Sequence, residues 1–254
     1  MWTTFRYLVL TALRDRVFGT LAVLLLLVAL FGAFIGDGAL VEEPAARLSF
    51  AGTAVRAIFV LGILLFVCFH VRRTYESREI DMMLSRPVSR PAFVLAYYGG
   101  FAGLSLLLVP LAALALSVAG RAPLDGLLLW VWSLALEGLI VVAIGLFFAL
   151  LMSSATAAAM AAIGFYIFGR LVGSVLGVLT GAWLNVETPF ARATGFIFKL
   201  VSTVMPRLDL FGQTSWLVYG ANGNLLDWAA TLQTLVYVPL LLAMAIYDFE
   251  RKQF

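Results

Sequence analysis

Charge is scarce in this chain, and cysteine, histidine and lysine are scarcer still. Asp, Glu, Lys and Arg make up 12% of its 254 residues, against roughly 25% in a soluble domain. That is too few to clothe a water-soluble fold of this size. One cysteine, Cys68, excludes an internal disulfide framework and a cysteine metal cluster. One histidine, His70, adds no ligand set, so both residues read as structural and no metal site is expected. The only lysines, Lys199 and Lys252, follow no glycine-rich loop, and the pattern G-x-x-x-x-G-K-[ST] is missing. The chain therefore cannot bind ATP in the P-loop manner by itself. It also lacks an H-E-x-x-H pair, a G-x-S-x-G elbow and any grouping of histidine with carboxylates. No catalytic residue and no cofactor is expected within it.

What fills the chain is apolar: 63% hydrophobic residues and a mean hydropathy of +1.03. A run of about 20 apolar residues crosses the ~30 Å hydrocarbon core as a helix. Six such runs occur, at 17–35, 53–71, 92–119, 124–152, 155–183 and 226–246. They leave no room for a soluble domain, so residues 1–254 are expected to form a single all-α, polytopic membrane helix bundle. Pro110 predicts a kink in the third run, and Pro239 an interruption of the last. Arg14 and Arg16 precede the first run as in a secretory leader. That run is full span length, however, where cleavable leaders have about 7–15 apolar residues, so it is expected to be retained.

Trp2, Phe5, Leu8, Val9, Ala12 and Leu13 recur at helical spacing, away from Arg6, Arg14 and Asp15. This predicts a helix over 1–16 lying in the membrane interface, or else the first turns of span one. The longest connection, 184–224, holds Phe196, Ile197, Leu200, Val201 and Val204 at helical spacing, with Pro206 after them. It is too punctuated to span, which predicts a short helix at or dipping into the outer surface.

The net charge of +3 resides at the ends of apolar runs, where arginines anchor helices, so a nucleic-acid partner is not expected. Six spans place Arg6, Arg14, Arg16, Arg72, Arg73, Arg78, Arg86, Arg90, Arg251 and Lys252 on one side. The other side receives Arg47, Arg56, Arg121, Arg192, Lys199 and Arg207. The positive-inside bias predicts both termini in the cytoplasm.

The connection at 72–90 is the most informative stretch. Ile80, Met83 and Leu84 share one helical face while Glu76, Arg78 and Asp81 carry charge around the rest. Pro87 stops the pattern, and Pro91 starts the next span. A short amphipathic helix held between two spans suits docking to another protein, with apolar residues filling a pocket and charges setting register. An ordinary charged loop anchoring two helices is the plainer reading.

Glu76, Glu79, Ile80 and Leu84, then Pro87-Val88-Ser89-Arg90 and Phe93-Val94-Leu95, resemble the cytoplasmic signature of type-2 ABC transporter permeases. Met205-Pro206-Arg207-Leu208-Asp209-Leu210-Phe211 and Phe249-Glu250-Arg251-Lys252 are similar to later stretches of that family. The resemblance covers essentially the whole chain and is nearest to the small six-span permeases of copper-site maturation and gliding systems. It implies an exporter subunit in the bacterial inner membrane, paired with a second permease half as a homo- or heterodimer. It also implies two copies of a cytoplasmic ABC ATPase, membrane lipid around the spans and an outer-face partner. Glu76, Arg78, Glu79, Ile80, Met83, Leu84, Pro87 and Arg90 would then form the coupling helix. A membrane scaffold or regulatory subunit without transport activity is the alternative from another class, and a self-contained membrane enzyme or secondary transporter is a third.

Two intramembrane features stand apart from the resemblance. Glu137 lies about sixteen residues before the turn at Ser153-Ser154 and Arg170 about sixteen after it, so both lie roughly 24 Å from that turn. Charges at such depth need a partner or a polar cavity, which predicts a structural ion pair or a place on a substrate path. Gly169, Gly173, Gly177 and Gly181 repeat every fourth residue and predict close approach of another segment, within the chain, across a dimer or along a pathway.

Overall fold

In lipid every backbone amide must find its partner inside the protein, and an α-helix does this within one segment. The computed structural model describes residues 16–36, 43–76, 89–178, 205–221 and 227–251. These residues form helices α1 (Arg16–Gly36), α2 (Glu43–Glu76), α3 (Arg90–Ala119), α4 (Leu124–Leu151) and α5 (Ala155–Val178). A 3-10 turn (Leu208–Phe211), α6 (Ser215–Tyr219) and α7 (Trp228–Arg251) follow. No strand occurs among the described residues.

Among the described residues, five stretches are long and apolar enough to cross a membrane: Ala45–Glu76, Arg90–Ala119, Leu124–Leu151, Ala155–Gly173 and Trp228–Arg251. In α1 the corresponding apolar stretch, Gly19–Gly32, is shorter. The interfacial helix expected over 1–16 and the surface helix expected around Phe196–Val204 lie outside the described residues, save for Arg16 at the start of α1.

Successive long helices run antiparallel. One end of the bundle carries Arg72, Arg90 and the Ser153 turn, and the other carries Asp125 and α6. Helix α4 is the axis and packs against α2, α3, α5, α6 and α7. Its sequence explains this position, because every residue from Ile140 to Leu146 is apolar or glycine and every one is buried. A helix without a polar face must be covered all round or face lipid. By contrast α7 turns Leu232, Leu235, Val236, Leu240 and Met244 outward, as a helix at the rim of a membrane bundle does.

Two features differ from the sequence reading. Helix α2 begins at Glu43, ten residues before the expected start of span two, and continues unbroken to Glu76. Leu48, Ala51 and Val55 are all buried, so they extend the packed face of α2 beyond Arg56, and this arginine lies inside the bundle rather than at the outer end of a span. The last span is not interrupted either. Pro239 lies within α7 and Pro110 within α3, both on exposed faces, where the pyrrolidine ring meets no neighbouring helix.

Small residues set the closest approaches. A Cβ on Gly126 of α4 would overlap the Trp216 carbonyl of α6, and one on Gly32 of α1 would come within 2.9 Å of Ala51 Cβ. Lipid tails are as apolar as leucine, so helices in a membrane gain from such van der Waals contact and from polar bonds between them.

Candidate functional site

The polar centre of the bundle is built on helical stripes. Trp130, Ser133 and Glu137 follow one another at i, i+3 and i+7 along α4, while Tyr166, Arg170 and Gly173 do so at i, i+4 and i+7 along α5. Positions so spaced share a face, and these two faces meet beside Arg56 of α2. Glu137 Oε2 accepts from Arg56 Nη1 at 2.5 Å. Glu137 Oε1 accepts from Arg170 Nη1 at 3.0 Å and from the Tyr166 hydroxyl at 2.7 Å. The same hydroxyl accepts a bond from Arg170 Nη1 at 3.0 Å. Arg56 Nη2 donates to Ser133 Oγ at 2.8 Å and to the Trp130 carbonyl at 3.3 Å, and its guanidinium carbon lies 4.9 Å from the Trp130 ring centroid.

Glu137 is fully buried and Arg56 is 2% exposed, whereas Arg170 is 32% exposed. An ionised carboxylate in such surroundings is costly unless each oxygen is bonded. Three donors from two other helices meet that need. The structure thus brings Glu137 and Arg170 together, and adds Arg56 and Tyr166, which the sequence reading did not associate with them. The sequence reading counts Arg56 among the outer-side charges, although it falls near the start of the 53–71 run. Leu48, Ala51 and Val55 before it at helical spacing were the available signal that the helix began earlier.

A second carboxylate completes the centre. The segment at 205–212 packs against α5 with Pro206, Leu208 and Phe211 buried. A Cβ on Gly169 would contact the Pro206 carbonyl and Leu208, and one on Gly173 would overlap the Asp209 carboxylate. Both glycines are therefore covered by this chain's own 3-10 turn. Gly177 continues α5, and Gly181 lies outside the described residues. The Arg170 guanidinium rests on Gly212, and Arg207 Nη2 bonds Asp209 Oδ2 at 3.1 Å. Non-helical backbone at this level along α5 is sustainable because protein covers it.

The predicted docking segment is divided. Glu76 closes α2 and is exposed, and Arg90 opens α3. Arg78, Glu79, Ile80, Met83, Leu84 and Pro87 lie outside the described residues. Both flanks of the segment are tied to other helix ends. Arg72 Nη2 donates to the Ser153 carbonyl at the α4–α5 turn. Arg90 Nη1 donates to the carbonyls of Glu250 at 2.8 Å and Phe249 at 3.3 Å at the end of α7. The last carbonyls of a helix have no partner within it, and a cation satisfies them in both charge and geometry.

No protein-family model matches the chain, and a search among curated proteins gives no significant match. What the fold defines is a class: an integral, multi-pass α-helical membrane protein, with a buried ionic centre between α2, α4 and α5.

Proposed function

We propose that the chain is the membrane-spanning permease subunit of an ATP-binding-cassette exporter, energised by separate ATPase subunits. In this reading α1 is the sixth span. Residues 77–88, with Glu76 and Arg90 at their flanks, contact the ATPase, and a second permease half completes the pathway. Both termini are cytoplasmic. With Arg56 moved into the bundle, the positive count becomes ten against five (six less Arg56) and still favours that orientation.

The observation that carries the proposal is how the docking segment is anchored. Its sequence resembles the coupling segment of type-2 ABC permeases, and Arg72 and Arg90 at its flanks grip the α4–α5 turn and the end of α7. A push on the segment would therefore reach three helix ends. Such a connection suits a subunit that converts closure of an ATPase dimer into helix movement.

The test is co-purification of the full chain with the ATPase of its complex, followed by ATPase and transport assays with Glu76→Lys/Glu79→Lys. Loss of assembly or of coupled hydrolysis is expected. Intact assembly with unchanged coupled transport would remove the coupling-segment assignment.

A further inference from the structure

Glu137 holds more donors than its charge requires, and Asp209 holds fewer. Without Arg170, Glu137 keeps Arg56 on Oε2 at 2.5 Å and the Tyr166 hydroxyl on Oε1 at 2.7 Å. Asp209 Oδ2 is bonded by Arg207, but Asp209 Oδ1 is buried and makes no hydrogen bond. Buried polar atoms of this kind are rare, and each calls for a physical account.

Arg170 stands between the two carboxylates. Its Nη1 is on Glu137, and its guanidinium rests against Gly212, whose amide donates to the Asp209 carbonyl at 3.3 Å. The Asp209 carboxylate rests on Gly173, three residues further along α5, and positions three apart on a helix are neighbours. Arg170 is also the most accessible of the three network residues that bear charge.

We infer that Arg170 is an interlock with two positions. In one it bonds Glu137 and Tyr166, as observed. In the other it turns to Asp209 Oδ1 and clamps the segment at 205–212 onto α5. Glu137 remains satisfied by Arg56 and Tyr166 in the second position, so neither position leaves a bare buried charge. Arg56, Arg170 and the half-buried Arg207 face Glu137 and Asp209 in both, so the charges present do not change. Two arrangements with similar numbers of bonds and equal charge are close in energy, which is the condition for a bistable element. The device couples the core of the bundle to the 3-10 turn at the Asp125 end, and it holds whether or not an ATPase drives the chain.

Hydrogen exchange of residues 205–212, measured by mass spectrometry on the full chain in lipid nanodiscs, tests this. Glu137→Asp retracts the carboxylate from Arg170 while keeping its charge beside Arg56, and Glu137→Gln removes the attraction outright. Either substitution should move Arg170 to Asp209 and slow exchange in the segment severalfold. The slowing should vanish when Arg170→Gln is added. A network that is only structural would loosen on these substitutions, so unchanged or faster exchange in the folded Glu137→Asp protein overturns the interlock. Slowing that persists without Arg170 overturns it equally.

Discussion

Arg56 Nη1 lies 2.5 Å from Glu137 Oε2, joining two helices across 81 residues of sequence, with both side chains all but fully withdrawn from solvent. This contact is the shorter of the two ion pairs that Glu137 makes. It ties α2 to α4 at a level where neither partner could be left alone.

Removing one member should cost far more than removing both. Breaking a buried ion pair costs about 3–5 kcal/mol, because the survivor keeps its desolvation penalty. Arg56→Gln and Glu137→Gln should each lower the thermal unfolding midpoint in detergent strongly, and the double variant less than their sum. Arg170→Gln should be milder than Arg56→Gln, since each leaves Glu137 two donors but Arg170 is partly solvated and its contact is the longer one. Strictly additive losses would mean that the side chains do not interact.

Two glycines on one helix should respond in opposite ways to alanine. A Cβ on Gly173 overlaps the Asp209 carboxylate, while one on Gly164 meets nothing within 4 Å. Gly164→Ala should leave the fold intact and stabilise α5 by up to about 1 kcal/mol through helix propensity. Gly173→Ala should destabilise by displacing the 3-10 turn, and should raise protease sensitivity within 205–212. Limited proteolysis beside a melting curve distinguishes the pair.

Arg90 caps the end of α7, so Arg90→Ala should expose the Phe249 and Glu250 carbonyls and fray the last turn. The expected cost is about 1 kcal/mol or less, read as faster amide exchange confined to the final turn of α7. Under the proposed function the same variant, and Arg72→Ala, should lower coupled ATPase activity more than stability. Equal losses in both would make these arginines structural alone.

Orientation is accessible to cysteine labelling in a Cys68→Ala background. Single cysteines at Arg121 and Gln213, both exposed at the Asp125 end of the bundle, should react with a membrane-impermeant maleimide added to intact cells. Cysteines at Ser153 or Ser154 should react only after permeabilisation. The reverse pattern would invert the proposed topology and place Glu76 and Arg90 away from any cytoplasmic ATPase.

The membrane class was legible in the residues themselves, because spanning helices are local objects. Their hydrogen bonds close within one segment, and their length follows from 1.5 Å per residue against a fixed hydrocarbon thickness. The equal depth of Glu137 and Arg170 was legible for a related reason: a tight turn at Ser153-Ser154 makes α4 and α5 a hairpin, so counting from the turn compares levels directly. Packing decided everything that depends on rotation and on non-neighbouring helices. Sequence marks Gly169 and Gly173 as points of close approach, but only the folded chain shows that Pro206, Leu208 and Asp209 fill them. It marks Arg56 as a charge near an apolar run, yet the partner of that charge is set by how α2 turns about its axis against α4. Spacing along one helix carries no record of that angle, and the angle turned a charge counted on the outer side into the main counter-charge of Glu137.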